Sequence, residues 1–134
     1  MAEVVKVINN LASAESDKHQ LAGKIYEYFI GRDDTAISEL GAYFTDRHIV
    51  NWIYREISTA KVNPDGTIDT MVDPFGGSGG FTTGYIMRML ELVEENNKTP
   101  ENQHIEINWD TELHKVFHFD MNTDVLRSAA MEFM

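Results

Sequence analysis

Two carboxylates and a run of glycines are the residues of this 134-residue chain best placed to do chemistry. Asp73 closes a short apolar segment and runs into Pro74-Phe75-Gly76-Gly77-Ser78-Gly79-Gly80-Phe81. Asp120 closes a second such segment, Lys115-Val116-Phe117-His118-Phe119. Glycine lets backbone approach a ligand closely, and the start of a following helix presents amide donors to it. A carboxylate at a strand end suits an ammonium group or the hydroxyls of a ribose. The chemistry expected is therefore capture of a small molecule over a strand-turn-helix unit. Nucleophilic catalysis is not indicated, because Ser78 lies inside the glycine turn and no Ser-His-Asp arrangement accompanies it.

Glycine-rich turns have several uses. A phosphate-binding loop needs Gly-x-x-x-x-Gly-Lys-Ser/Thr, and no lysine follows Gly80-Phe81, which argues against nucleoside triphosphate hydrolysis. A dinucleotide fingerprint fits loosely, but its acid is expected about 20 residues on, and Asp120 stands about twice as far beyond Gly80. Its place at the end of the next strand still matches that role. A plain tight turn would need fewer than four glycines in five positions. His114, His118 and Asp120 share one strand face at period two, an arrangement open to metal binding, although solvated loop histidines are the plainer reading. Trp52 and Tyr54 read as core rather than as a stacking platform. Asp33-Asp34 and Glu94-Glu95 read as solvated faces.

Composition narrows the classes. With 43% hydrophobic and 10% aromatic residues the chain can bury a core. No apolar run nears the roughly 20 residues that span a bilayer, and no basic region precedes an apolar stretch at the N-terminus. Zero cysteines exclude disulfides and thiolate metal sites and fit a cytoplasmic setting. A net charge of −11 repels phosphate backbones, so nucleic acid, if bound, must be held by groups outside this chain.

The elements that position the motifs follow from period and punctuation. Val4, Val5, Ile8 and Leu11 mark a first helix, and Leu21, Ile25, Tyr28 and Phe29 a second that stops near Gly31. Ala36 to Tyr43 fixes no period. Thr45 is the expected N-cap of a third helix, with Asp46 in its first turn and Ile49, Ile53 and Ile57 along one face. Asn63-Pro64-Asp65-Gly66 predicts a turn, and Thr67 to Val72 a strand ended by Asp73-Pro74. Ile86, Met89, Leu90 and Val93 mark a helix ending near Asn96 or Asn97. Ile105, Ile107 and Trp109 alternate like a short extra strand. Lys115 to Phe119 is the second strand, and Asn122 or Thr123 caps a last helix carrying Val125, Leu126, Ala129, Ala130 and Phe133. That helix carries no stop signal, so the chain reads as ending in mid-fold. Two strands fall well short of the five or six of an average sheet.

The motifs resemble those of the gamma-ordered adenine-specific DNA methyltransferases, in particular the modification subunit of type I restriction-modification systems. That family's Gly-x-Phe/Tyr-Phe-Thr-Pro stands here as Gly41-Ala42-Tyr43-Phe44-Thr45-Asp46. Its Asp-Pro-x-x-Gly-Ser-Gly-Gly-Phe stands as Asp73 to Phe81, and its strand ending in an acid as Phe119-Asp120-Met121-Asn122. The helical segment Lys24 to Gly31 is also similar, and the likeness covers the chain from about Leu21 onward. It implies an α/β fold: a helical lead-in (1–40), then the first β-α-β portion of a Rossmann-like S-adenosylmethionine-dependent methyltransferase sheet (41–134), apparently incomplete.

The resemblance also implies roles. Thr45, with the Tyr43-Phe44 backbone, would hold the methionine end of S-adenosylmethionine. Asp73, Ser78 and the amides of Phe75, Gly76, Gly77 and Gly79 would surround its amino acid and sugar. Asp120 would bind the ribose hydroxyls and Met121 would pack on the adenine. Three departures stand out. Asp46 replaces the usual proline, and Phe75-Gly76 replaces a small residue and cysteine. The Asn/Asp-Pro-Pro-Tyr/Phe motif that holds a flipped adenine is missing. The expectation is a piece of a DNA adenine-N6 methyltransferase that is inactive alone. It would meet DNA through parts outside this chain, with a specificity subunit or self-association as further contacts and no membrane. The alternative is a non-catalytic protein-interaction remnant.

Overall fold

The computed structural model describes residues 44–133. The lead-in (1–40), with its two expected helices, and the stretch through Tyr43 lie outside the described residues. In chain order the described elements begin with α1 (Arg47–Trp52), which widens into a π-helical turn at Ile53–Ile57. Then come β1 (Met71–Asp73) and α2 (Gly80–Lys98). α3 (Trp109–Glu112) tightens into a 3-10 turn at Leu113–Lys115 and leads into β2 (Val116–His118) and α4 (Thr123–Phe133). β1 and β2 pair in parallel, with Met71 opposite Val116, Val72 opposite Phe117 and Asp73 opposite His118. The result is a mixed α/β arrangement with α2 in the crossover between two parallel strands.

Local chemistry moves several expected boundaries. The N-cap of α1 is Asp46 and not Thr45: its backbone is extended and its Oδ1 accepts the His48 N–H at 2.8 Å. An ionised acceptor makes the stronger cap bond. The core-facing side of α1 carries Arg47, Val50 and Tyr54, whereas Ile49 and Ile57 are 52% and 57% exposed. Gly84 sets that phase, because a Cβ there would lie 2.7 Å from Val50 Cγ1 and 3.1 Å from Tyr54 Cε2. Its bare backbone lets α1 settle on α2.

The expected turn at 63–66 forms, with Gly66 N–H donating to Asn63 O at 3.0 Å. Its consequence is that Thr67 and Ile68 belong to a small hairpin and not to β1. Asp65 accepts from the Thr67 N–H and hydroxyl at 3.0 and 2.7 Å, and Val62 bridges Ile68 in antiparallel fashion. The strand expected over 67–72 therefore starts only at Met71. Ile105, Ile107 and Trp109 form no strand. The Asn97 side-chain amide stands in for a strand partner, exchanging two 2.8 Å bonds with the Ile105 backbone, and Trp109 opens α3. α2 ends at Lys98, one residue past the expected stop.

The core gathers Ile68, Tyr85 and Met89, with Tyr54, Met71 and Val116 packed around them. The buried stripe of α2 runs Thr82, Tyr85, Met89, while Leu90 of the expected stripe turns outward. Tyr85 donates its hydroxyl to the Asp69 carbonyl, and burial pushes that hydroxyl up to about 12. Glu112 is buried between hairpin and β2. It accepts the Ile68 N–H at 2.9 Å and pairs with Lys115 at 2.7 Å, and these contacts hold its carboxyl below the usual range.

Two outcomes follow. Met89 is fully enclosed, so Met89→Ala should cost about 2–5 kcal/mol in urea unfolding, the range for deleting a large core side chain. Glu112 has a depressed folded pKa, so its stabilisation is complete above its unfolded value of about 4.3. It is lost as pH falls through the lower folded value. Glu112→Gln keeps the Ile68 bond but cannot titrate, and should flatten the acid limb of a stability-versus-pH curve.

Candidate functional site

The loop between β1 and α2 is sewn to the end of β2. The ladder continues past the strands, with Phe119 N–H donating to Asp73 O at 2.9 Å and Gly76 N–H to Phe119 O at 2.7 Å. Gly77 N–H donates to Asp120 Oδ2 at 3.0 Å, and His118 Nε2 lies 3.2 Å from Gly77 O. His118 Nδ1 lies 2.8 Å from the Thr82 hydroxyl in the first turn of α2. Gly79 N–H closes the turn onto Gly76 O at 3.0 Å, and Gly79 O accepts from Thr83 N–H to start the helix. Gly77 and Gly79 have φ of +56° and +97°, the left-handed region where a Cβ is strained.

Both strand-end carboxylates also shape their own turns. Asp73 Oδ1 accepts the Phe75 N–H at 3.1 Å, and Asp120 Oδ1 the Asn122 N–H at 2.8 Å. Asn122 Oδ1 then caps α4 by accepting from Asp124 and Val125, as expected. The amides expected to face a ligand, those of Phe75, Gly76, Gly77 and Gly79, each already donate inside the chain. The loop thus offers a ligand a shaped wall more than a row of donors. Each carboxylate oxygen keeps further lone-pair capacity, so Asp73 and Asp120 remain acceptors.

A cavity of about 260 Å³ opens beside this loop, near the lower end of the roughly 300–1,000 Å³ usual for small-molecule sites. It brings together Phe44, Thr45, Asp73, Phe75, Gly76, Gly77 and Ser78, with Gly80 and Phe81 completing the wall. Asp73 is the one charged residue among the described residues of that lining. Phe75 stands at the rim, 85% exposed, so its ring leaves the interior open. Gly79 sits within the turn, Asp120 takes the Gly77 amide, and Met121 is 98% exposed; none of these three is in the cavity lining. Tyr43 lies outside the described residues. Behind the wall, Tyr54 donates its hydroxyl to Phe81 O at 2.8 Å, and burial together with the Asp73 charge raises that hydroxyl's pKa.

Two residues matter more here than their sequence context suggests. His118 faces inward with Val116, while Phe117 and Phe119 face out; strand parity gives that face, and the pairing of β2 with β1 brings the ring under the loop. Its ring nitrogens engage Gly77 and Thr82, and among the described residues no three metal-ligating side chains converge. Arg47 is buried with its guanidinium against Gly80, where a Cβ would lie 2.3 Å from Nη1. Nothing in the local sequence marks that arginine as buried.

A family model described as N-6 DNA methylase matches residues 17–123, a span that includes the cavity lining, the glycine loop and the Asp120-Asn122 turn. No curated protein and no solved structure matches the chain.

Gly79→Ala tests the backbone of the loop. Forcing an alanine into the left-handed region should cost about 1–2 kcal/mol, read as a lowered urea midpoint with an unchanged slope.

Proposed function

The chain belongs to the N-6 DNA methylase family, and from that membership we propose that it is the cofactor-binding part of a DNA adenine-N6 methyltransferase. The observation that carries the reading is the cavity beside the glycine loop, where the one charged residue among the described lining is a carboxylate. Among the described residues of that lining, a phosphate-bearing nucleotide would meet no lysine or arginine. S-adenosylmethionine suits it better, because its ammonium and sulfonium charges are attracted by Asp73. When bound, it supplies a methyl group on a cationic sulfur, open to attack by an amino nitrogen.

The chain's own residues bind and orient. Asp73, at the end of β1, receives the ammonium group, and Thr45 with the Phe44 backbone faces the same end. Asp120 accepts from the ribose hydroxyls while fixing Gly77. Met121, fully exposed next to it, covers the adenine once that ring is present. Catalysis of this kind is positioning: the reacting atoms are held in line, and the gain comes from geometry. The sheet is the beginning of a Rossmann-like one. The base-binding Asn/Asp-Pro-Pro-Tyr/Phe motif is not among the 134 residues. Transfer therefore requires it, and the DNA contacts, from outside this chain, as in the modification subunit of a type I restriction-modification system working in the cytoplasm beside a specificity subunit.

A second reading draws on the outer face of the two strands. Val72 and Phe117 sit opposite each other there, Phe119 stacks on Phe117 with ring centroids 6.5 Å apart, and all three are exposed. A non-catalytic remnant of the family would use such a face to bind protein or to self-associate.

Calorimetric titration of S-adenosylmethionine into the chain separates the two. Saturable binding is expected, weakened about tenfold or more by Asp73→Ala and by Asp120→Ala, since loss of a charged hydrogen bond costs about 1.5–3 kcal/mol. A well-folded chain that gives no binding heat removes the cofactor reading and leaves the interaction module.

A further inference from the structure

We propose that His118 is the positioning residue of the glycine loop, its imidazole filling the space under Gly76 and holding the wall of the cavity in its open shape. The part of this inference that concerns affinity rests on the cofactor reading above, and the part that concerns the loop does not.

The first observation is volume. Gly76 is buried, and a Cβ built there would lie 2.2 Å from His118 Cε1, 2.3 Å from Nδ1 and 2.6 Å from Nε2. Gly76 is not among the glycines with positive φ. Its backbone therefore has no need of glycine, whereas the imidazole beneath it does. Residues 76 and 118 share one side chain's worth of space, and the ring occupies it.

The second observation is hydrogen bonding. Gly77 O can only accept, so Nε2 carries the proton toward it at 3.2 Å. In the neutral ring Nδ1 is then an acceptor, and the Thr82 hydroxyl, 2.8 Å away and nearly inaccessible, donates to it. One tautomer satisfies both contacts. It joins the third residue after Pro74 to the first turn of α2, across the floor of the loop.

The third is the way both sides of Gly77 are held. Its N–H is taken by Asp120 Oδ2 and its carbonyl by His118, two side chains a period of two apart at the end of β2. Gly77 itself has a left-handed φ, so its conformation is held from both sides by these two contacts. Removing the imidazole would leave the Gly77 carbonyl and the Thr82 hydroxyl short of these partners and open a void beneath Gly76. The wall carrying Gly76, Gly77 and Ser78 would then be free to sink into the space the ring held.

The test uses the chain as it stands, with two readouts. Amide hydrogen exchange by NMR should show residues 77–80 exchanging at least tenfold faster in His118→Ala, with amides around Met89 unchanged. S-adenosylmethionine affinity by calorimetry should fall about tenfold. His118→Gln, which can still donate to Gly77 O, should recover part of both losses. Gly76→Ala alone should loosen the loop, and adding His118→Gly should relieve the overlap without recovering wild-type protection, because the bonds to Gly77 and Thr82 stay lost. Unchanged exchange at 77–80 in a folded His118→Ala chain overturns the proposal, as does unchanged affinity where the wild-type chain binds. If the wild-type chain binds nothing, the cofactor reading falls, and exchange at 77–80 alone decides the role of His118.

Discussion

The seam between the glycine loop and the end of β2 is the constraint on which the described structure depends. Two strands of three residues make few ladder bonds, and a buried peptide group left unpaired is costly. Here the ladder is extended by residues that are no longer strand. Phe119 bridges Asp73 and Gly76, Asp120 takes the Gly77 amide, and His118 takes its carbonyl. The Gly76 and Gly77 amides and the Gly77 carbonyl are thus satisfied from the end of the second strand. That arrangement gives a glycine-rich segment, which has the most conformational freedom to lose, a defined shape.

The helices act on the same segment from the other side. Gly84 removes the side chain that would hold α1 off α2, and Val50 and Tyr54 move into the gap. Tyr54 then reaches the Phe81 carbonyl at the first turn of α2, the point where the loop becomes helix. Thr82, Tyr85 and Met89 form the buried stripe below, and Tyr85 ties the helix to the Asp69 carbonyl just ahead of β1. Thus aromatic hydroxyls whose burial raises their pKa anchor the loop's helical end and the segment ahead of β1. Neither is placed to ionise near neutrality.

What was legible in the sequence was whatever local chemistry decides. The Asn63-Pro64-Asp65-Gly66 turn, the glycine loop, the stop of α2 and the Asn122 cap depend on residues within a few positions of one another, and they stand close to where they were expected. The errors came from distant contacts. The phase of α1 is set by Gly84, more than 30 residues away, so Ile49 and Ile57 of the stripe that looked buried are exposed. The extra strand at 105–109 fails because Asn97 supplies the pairing that a neighbouring strand would have given. In the site itself, the motifs shared with the family implied the binding residues, and seven of them gather at the cavity wall. They did not disclose that the loop amides are already engaged, nor that His118 lies beneath them, because both facts depend on the register of β2 against β1.

Charge explains why the division of labour falls where it does. A sulfonium cofactor and a DNA backbone make opposite electrostatic demands, and one small domain cannot meet both on the same surface. This chain, at −11, favours a cation and repels phosphates. Its cavity repeats that bias locally, with Asp73 in the lining and no basic side chain among the described residues there to oppose it. Arg47 is buried against Gly80 and so bears on the fold more than on a ligand in solvent. The acidic character is therefore no obstacle to a role in DNA methylation. Under the proposed function it is the bias expected of a part that holds a cationic cofactor and leaves the nucleic acid to groups elsewhere.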